Sequence, residues 1–77
     1  MADPKDVEST KMVRREFNRR KIDSTQCDIR VLHGTLYVRG TLKGIGGSDP
    51  RVEFEVITRA LRSRGAVRDI VSDVTYR

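Results

Sequence analysis

Residues 27–42 read CDIRVLHGTLYVRGTL, with apolar and polar side chains alternating on either side of His33-Gly34. A tight two-residue turn needs positive φ, which Gly adopts freely and His tolerates better than most residues. Such a turn sets Leu32 opposite Thr35, and the outer pairs follow: Val31 with Leu36, Ile29 with Val38, Cys27 with Gly40. These three pairs form one apolar face. On the other face Arg30 meets Tyr37, predicting a cation over a ring, and Asp28 meets Arg39, predicting an opposite-charge pair. A three-residue loop would oppose Val31 to Tyr37 and mix the faces, so the pattern selects the register. A hairpin with one apolar face needs a cover, and the flanking segments supply it.

Upstream, Asp3-Pro4 reads as a helix cap followed by a first-turn proline, and Asp6 and Glu8 suit the positive end of a helix dipole. A helix from Pro4 to about Lys21 carries Val13 and Phe17 as a narrow apolar stripe flanked by Met12, with Val7 off it. Ile22 to Gln26 reads as a short connection, and Lys43 to Ser48 as a flexible Gly-rich loop. Asp49-Pro50 repeats the cap signature and predicts a helix to about Ser63, ending near Gly65. Its stripe is Phe54, Ile57 and Leu61. Val52 and Val56 fall on the far side, facing solvent, the first helix or a second copy. Arg59, Arg62 and Arg64 suit the carboxyl end of the dipole. The closing segment from Val67 to Arg77 reads as a strand with Ile70, Val74 and Tyr76 on one face.

The order is helix, strand, strand, helix, strand. A strand reached through a helix lies most easily parallel to the strand it left. The expected class is α+β: a single αββαβ domain over residues 1–77, a two-layer sandwich of a mixed three-stranded sheet with both helices on one face.

The pattern resembles the BON domain, a small bacterial module also found in osmotic-shock and secretion proteins. His33-Gly34-Thr35-Leu36-Tyr37-Val38-Arg39-Gly40-Thr41-Leu42 is similar to the family's Gly turn, alternating apolar residues and Gly-Thr. Ala66-Val67-Arg68-Asp69-Ile70-Val71-Ser72-Asp73-Val74 is similar to its closing Gly-Val-x-x-Val-x-Asn-x-Leu, with Ala66 in place of Gly and Ser72 in place of Asn. The likeness spans about residues 5–76. It implies a non-catalytic module associated with phospholipid surfaces or with assembly of envelope and secretion complexes, and it carries over no catalytic residues.

Composition narrows the chemistry further. Of 77 residues, 35% are charged and none is Trp, so a thin core sits under a charged surface. One Cys excludes an internal disulfide and a cysteine-based zinc site, and Cys27 reads as a small buried hydrophobe. The single His occupies a turn without a neighbouring nucleophile or base, so no catalytic residues, metal site or cofactor are expected. The sequence has no apolar run for a membrane span and no secretory signal, which reads as cytoplasmic, or periplasmic for a domain trimmed from an exported protein.

The net charge of +5 has an address. Residues 11–21 hold Lys11, Arg14, Arg15, Arg19, Arg20 and Lys21 against Glu16, six minus one, while the rest of the chain is balanced at ten and ten. This cluster reads either as a solvated face or as a binding surface formed by Lys11, Arg14, Arg15, Arg19 and Lys21 for phosphates of lipid or nucleic acid. Gly44, Gly46 and Gly47 form a candidate anion loop before a helix start. The Gly-x-x-Gly string of KH domains lies between helices, whereas this one follows a strand, and the Lys-Ser/Thr of a P-loop is missing. The uncovered sheet face, with Arg30, Leu32, Tyr37, Arg39 and Val71, is a candidate interaction surface for a partner protein or a second copy. Tyr37 with Arg30 and Arg39 makes a single stacking platform, thin for a nucleic-acid reader.

Overall fold

The structure, a computed structural model, describes residues 4–77, with side chains from residue 6. The elements run α1 (Pro4–Arg19), β1 (Ile22–Leu32), β2 (Thr35–Gly44), α2 (Pro50–Ser63) and β3 (Asp69–Tyr76). The expected Asp3 cap lies outside the described residues.

β1 and β2 pair antiparallel in the register that the sequence selects, from Leu32↔Thr35 outward to Cys27↔Gly40. His33 and Gly34 both take positive φ, 50° and 79°, the turn whose twist matches paired strands. Arg68 fixes this turn from outside, its backbone N–H donating to the Gly34 carbonyl at 2.7 Å and its guanidinium to the His33 carbonyl at 2.9 Å. β3 lies parallel to β2, Leu36 opposite Ile70 and Leu42 opposite Tyr76, giving the order β1-β2-β3. The fold is therefore α+β, with a mixed three-stranded sheet.

α2 has the clearer ends. The Asp49 carboxylate accepts from the Arg51 N–H at 2.9 Å, and Pro50 opens the first turn. At the other end Gly65, at φ 71°, donates to the Arg62 carbonyl, and Ala66 donates to that of Leu61. These are the two bonds of a Schellman cap.

Val13, Phe17, Phe54, Ile57 and Leu61 from the helices bury against Ile29, Val31, Leu36 and Val38 from the sheet. Phe17, Phe54 and Tyr76 stack in tilted steps of 6.0 and 6.3 Å, tying both helices to the end of β3. Val74, on the inner face of β3, packs against this core but is only partly buried.

The structure corrects several expectations. Ile22 to Gln26 is not a connection but the start of β1, hidden by a bulge between Asp23 and Gln26 that breaks the alternation. Asp23 braces that bulge, accepting from both the N–H and the hydroxyl of Thr25, and these bonds lower its pKa. Lys43 and Gly44 extend β2, and the loop after them is tied down. The Ile45 N–H donates to the Lys21 carbonyl at 3.2 Å, and the Ser48 hydroxyl bonds the same oxygen. α1 ends at Arg19 rather than Lys21, and Ile22, Leu42 and Val67 join the core. Arg30 turns along its own strand to Asp28, 3.4 Å away, instead of over Tyr37 or leaving Asp28 to Arg39. Among the described residues the cation over a ring is Arg51 over Tyr76, at 5.1 Å.

Candidate functional site

α1 separates its charges by direction. The stripe of Val13 and Phe17 turns inward, and at 100° per residue Asp6 and Glu16 lie on the same side, where both are buried. Lys11, Arg14, Arg15 and Arg19 fall on the outer arc with Glu8, all exposed, and Lys21 follows in the exposed turn. The buried acid has structural work: Glu16 accepts from Arg64 at 2.6 Å and Arg19 at 3.4 Å, joining α1 to the end of α2. Arg20 reaches Glu53 on α2 at 2.7 Å, a hydrogen bond that raises its pKa. Among the described residues no ion pair engages Lys11, Arg14, Arg15 or Lys21. The cluster of six thus divides into a structural pair, Arg19 and Arg20, and four cations that face solvent.

The outer sheet face is open, as the single helical layer requires. Leu32, Tyr37 and Val71 surround a shallow depression of about 400 Å³, rimmed by the Asp28–Arg30 pair, Arg39 and Asp73. Opposite charges alternate around this rim, so it has no net attraction for an ion of either sign.

The glycine loop offers less to an anion than its sequence suggests. The Gly44 N–H donates to the Arg77 carbonyl at 3.1 Å, and that of Ile45 to Lys21. Gly46 and Gly47, at φ 63° and 84°, shape the turn, and the Asp49 carboxylate occupies the start of α2. A negative charge already stands where an anion would bind.

Sequence reasoning missed a second depression, of about 530 Å³, between α1 and the free edge of β1, with Val7, Lys11 and Arg14 on one wall and Ile29, Val31 and Leu32 on the other. Its signal was available in the spacing of residues 7, 11 and 14, which share one side of a helix. What concealed it was the need to know that α1 flanks an edge strand.

Cys27 is half-buried, and its thiol donates to the Thr41 carbonyl at 3.2 Å. Burial pushes the thiol pKa up, with Asp23 adding to the effect. Alkylation near neutral pH is expected to be slow in the folded protein and faster in denaturant. Equal rates in both would show an open, unhindered thiol. Among the described residues no group of His, Cys, Asp and Glu is placed to hold a metal, and no helix is long and apolar enough to cross a membrane.

No protein-family model, curated protein or solved structure matches this chain.

Proposed function

We propose that this domain is a non-catalytic attachment module of BON-like type that binds anionic phospholipid surfaces through the outer face of α1. One observation carries the reading: α1 buries Asp6 and Glu16 and leaves Glu8 alone among its described acids on the outer arc, while Lys11, Arg14 and Arg15, with Lys21 beyond them, stand outward and unpaired among the described residues. A charged face satisfied by its own counter-ions is merely solvated. This one leaves a positive field on a rigid helix, which attracts an anionic plane from within a Debye length. The αββαβ order shared with the BON pattern supports the same reading.

Each cation near such a surface contributes about 1 kcal/mol, screened over about 8 Å at physiological salt. Attachment is therefore weak and salt-sensitive. Co-sedimentation with phosphatidylserine-containing vesicles should show binding that falls as salt rises, with little binding to neutral vesicles. Arg14→Glu with Arg15→Glu should weaken it by about 30-fold or more, the loss of two such contacts. Both side chains are exposed and away from the Val13–Phe17 stripe, so folding should be unaffected. A double variant that binds like the parent, equal binding to neutral vesicles, or tighter binding to single-stranded nucleic acid would each overturn the reading.

A further inference from the structure

We infer that two copies of this chain pair antiparallel through the free edges of β1, on a two-fold axis at Ile29. This goes beyond the surface-binding reading and does not rest on it. β1 is an edge strand of 11 residues, long beside the usual five or six. Edge strands are commonly protected by Pro, Lys or bulges. Here the bulge at Asp23/Gln26 protects only the beginning, and the run Gln26–Leu32 contains neither Pro nor Lys, its two charges being Asp28 and Arg30, exposed and of opposite sign. α1 leaves it open too, since the depression along the edge separates Val7, Lys11 and Arg14 from Ile29, Val31 and Leu32.

The register follows from the hairpin. Its closing pair, Leu32 and Thr35, exchanges both backbone bonds, and the alternation gives Arg30 and Asp28 the same role. The N–H and C=O groups of Cys27, Ile29 and Val31 therefore point to the open edge. A two-fold axis at Ile29 sets Ile29 against its own copy and Val31 against Cys27 of the second copy, so the open groups bond one another and the inner faces stay apolar.

The exposed face selects this axis over its neighbours. Centred on Ile29, Asp28 meets Arg30 of the second copy, and Arg30 meets the second copy's Asp28, two opposite-charge pairs from one operation. An axis at Asp28 or at Arg30 would oppose that residue to itself, like charge on like. At Cys27, Asp28 would meet Gln26 and Arg30 would meet Ser24. Charge complementarity is thus satisfied at Ile29 alone among these centres. Arg14 lies beside Cys27 and Ile29, so the two copies bring Arg14 near Arg14 across the axis, which keeps association weak and concentration-dependent.

The test is sedimentation equilibrium of the full chain up to high concentration, with circular dichroism to verify folding. The parent should show a reversible monomer–dimer equilibrium. Asp28→Arg alone and Arg30→Asp alone each turn both pairs into like charges and should weaken self-association about tenfold or more. An equimolar mixture of the two variants restores both opposite-charge pairs and should associate like the parent. Tyr37→Ala, on the open face away from the edge, should leave association unchanged. A parent that stays monomeric overturns the proposal. So do single variants that associate like the parent, a mixture that stays dissociated, or a dimer lost on Tyr37→Ala but kept on Asp28→Arg.

Discussion

Ile57→Ala is expected to destabilise the domain by about 2–5 kcal/mol in chemical denaturation. Ile57 is 1% exposed in α2 and packs in the same cluster as Leu36, Val38 and Leu61. Its removal subtracts the transfer free energy of the lost carbons and leaves a hole, because the core is close to crystal density and collapses only in part. A chain of this length has roughly 4–12 kcal/mol of total stability, so the loss is a large share of it. The neighbouring change Val56→Ala is the control. Val56 is 39% exposed on the other side of the same helix, and Ala is the better helix former, so its effect should stay within about 0.5 kcal/mol of zero. Equal losses for the two would mean that α2 does not lay its Phe54–Ile57–Leu61 stripe on the sheet.

That stripe was legible in the sequence because periodicity reports directly which side of an element meets the core. The hairpin was legible for a stronger reason: a turn of known length converts one position into a complete register. Where these signals were broken, reading failed. Ile22 lies before a bulge flanked by Asp23, Ser24, Thr25 and Gln26, a polar run that resembles a loop even though Ile22 pairs with Gly44 inside β1. Leu42 stands beyond Gly40-Thr41, where alternation gives no sign of what covers it. The loop of Ile45 to Ser48 returns to the Lys21 carbonyl beside Ile22, a contact across 24 or more residues.

The candidate site divides in the same way. Charge clustering placed the cations on α1, since composition along a chain is visible at once. It did not distinguish Arg19 and Arg20, which hold Glu16 and Glu53, from Lys11, Arg14, Arg15 and Lys21, which hold no acid among the described residues. Partners for long side chains are decided by tertiary packing. Glu16 counted as a stray counter-charge in the sequence, yet it is a buried acceptor for two arginines, and its removal from the surface is what leaves the outer face positive. The side-chain contacts within the hairpin were misjudged for a related reason. Register brings Cα atoms opposite each other, but Arg30 is long enough to choose Asp28 along its own strand over Tyr37 across it.

Gly40→Ala should cost roughly 2–6 kcal/mol, a loss comparable to opening a hole in the core although it adds only one carbon. Gly40 adopts φ 127°, a region that side-chain-bearing residues rarely enter, and enforcing it costs about 1–3 kcal/mol. The added carbon would also stand 2.2 Å from the Gln26 carbonyl oxygen and 3.0 Å from the Cys27 Cα. Those atoms belong to backbone, immediately after the β1 bulge, and cannot rotate aside as the tip of a side chain would. Relief requires β1 to move off β2 at the Cys27↔Gly40 pair, an overpacking cost of about 1–3 kcal/mol more. Gly46→Ala separates the two contributions. Gly46 is at φ 63° with nothing within 4 Å of an added carbon, so only the backbone penalty of about 1–2 kcal/mol applies. The local consequence of Gly40→Ala is readable at Cys27: parting the strands there breaks the thiol bond to the Thr41 carbonyl, so alkylation should accelerate in conditions where most of the domain remains folded. If Gly40→Ala costs no more than Gly46→Ala and leaves the thiol as slow as in the parent, β1 does not approach β2 closely at this point.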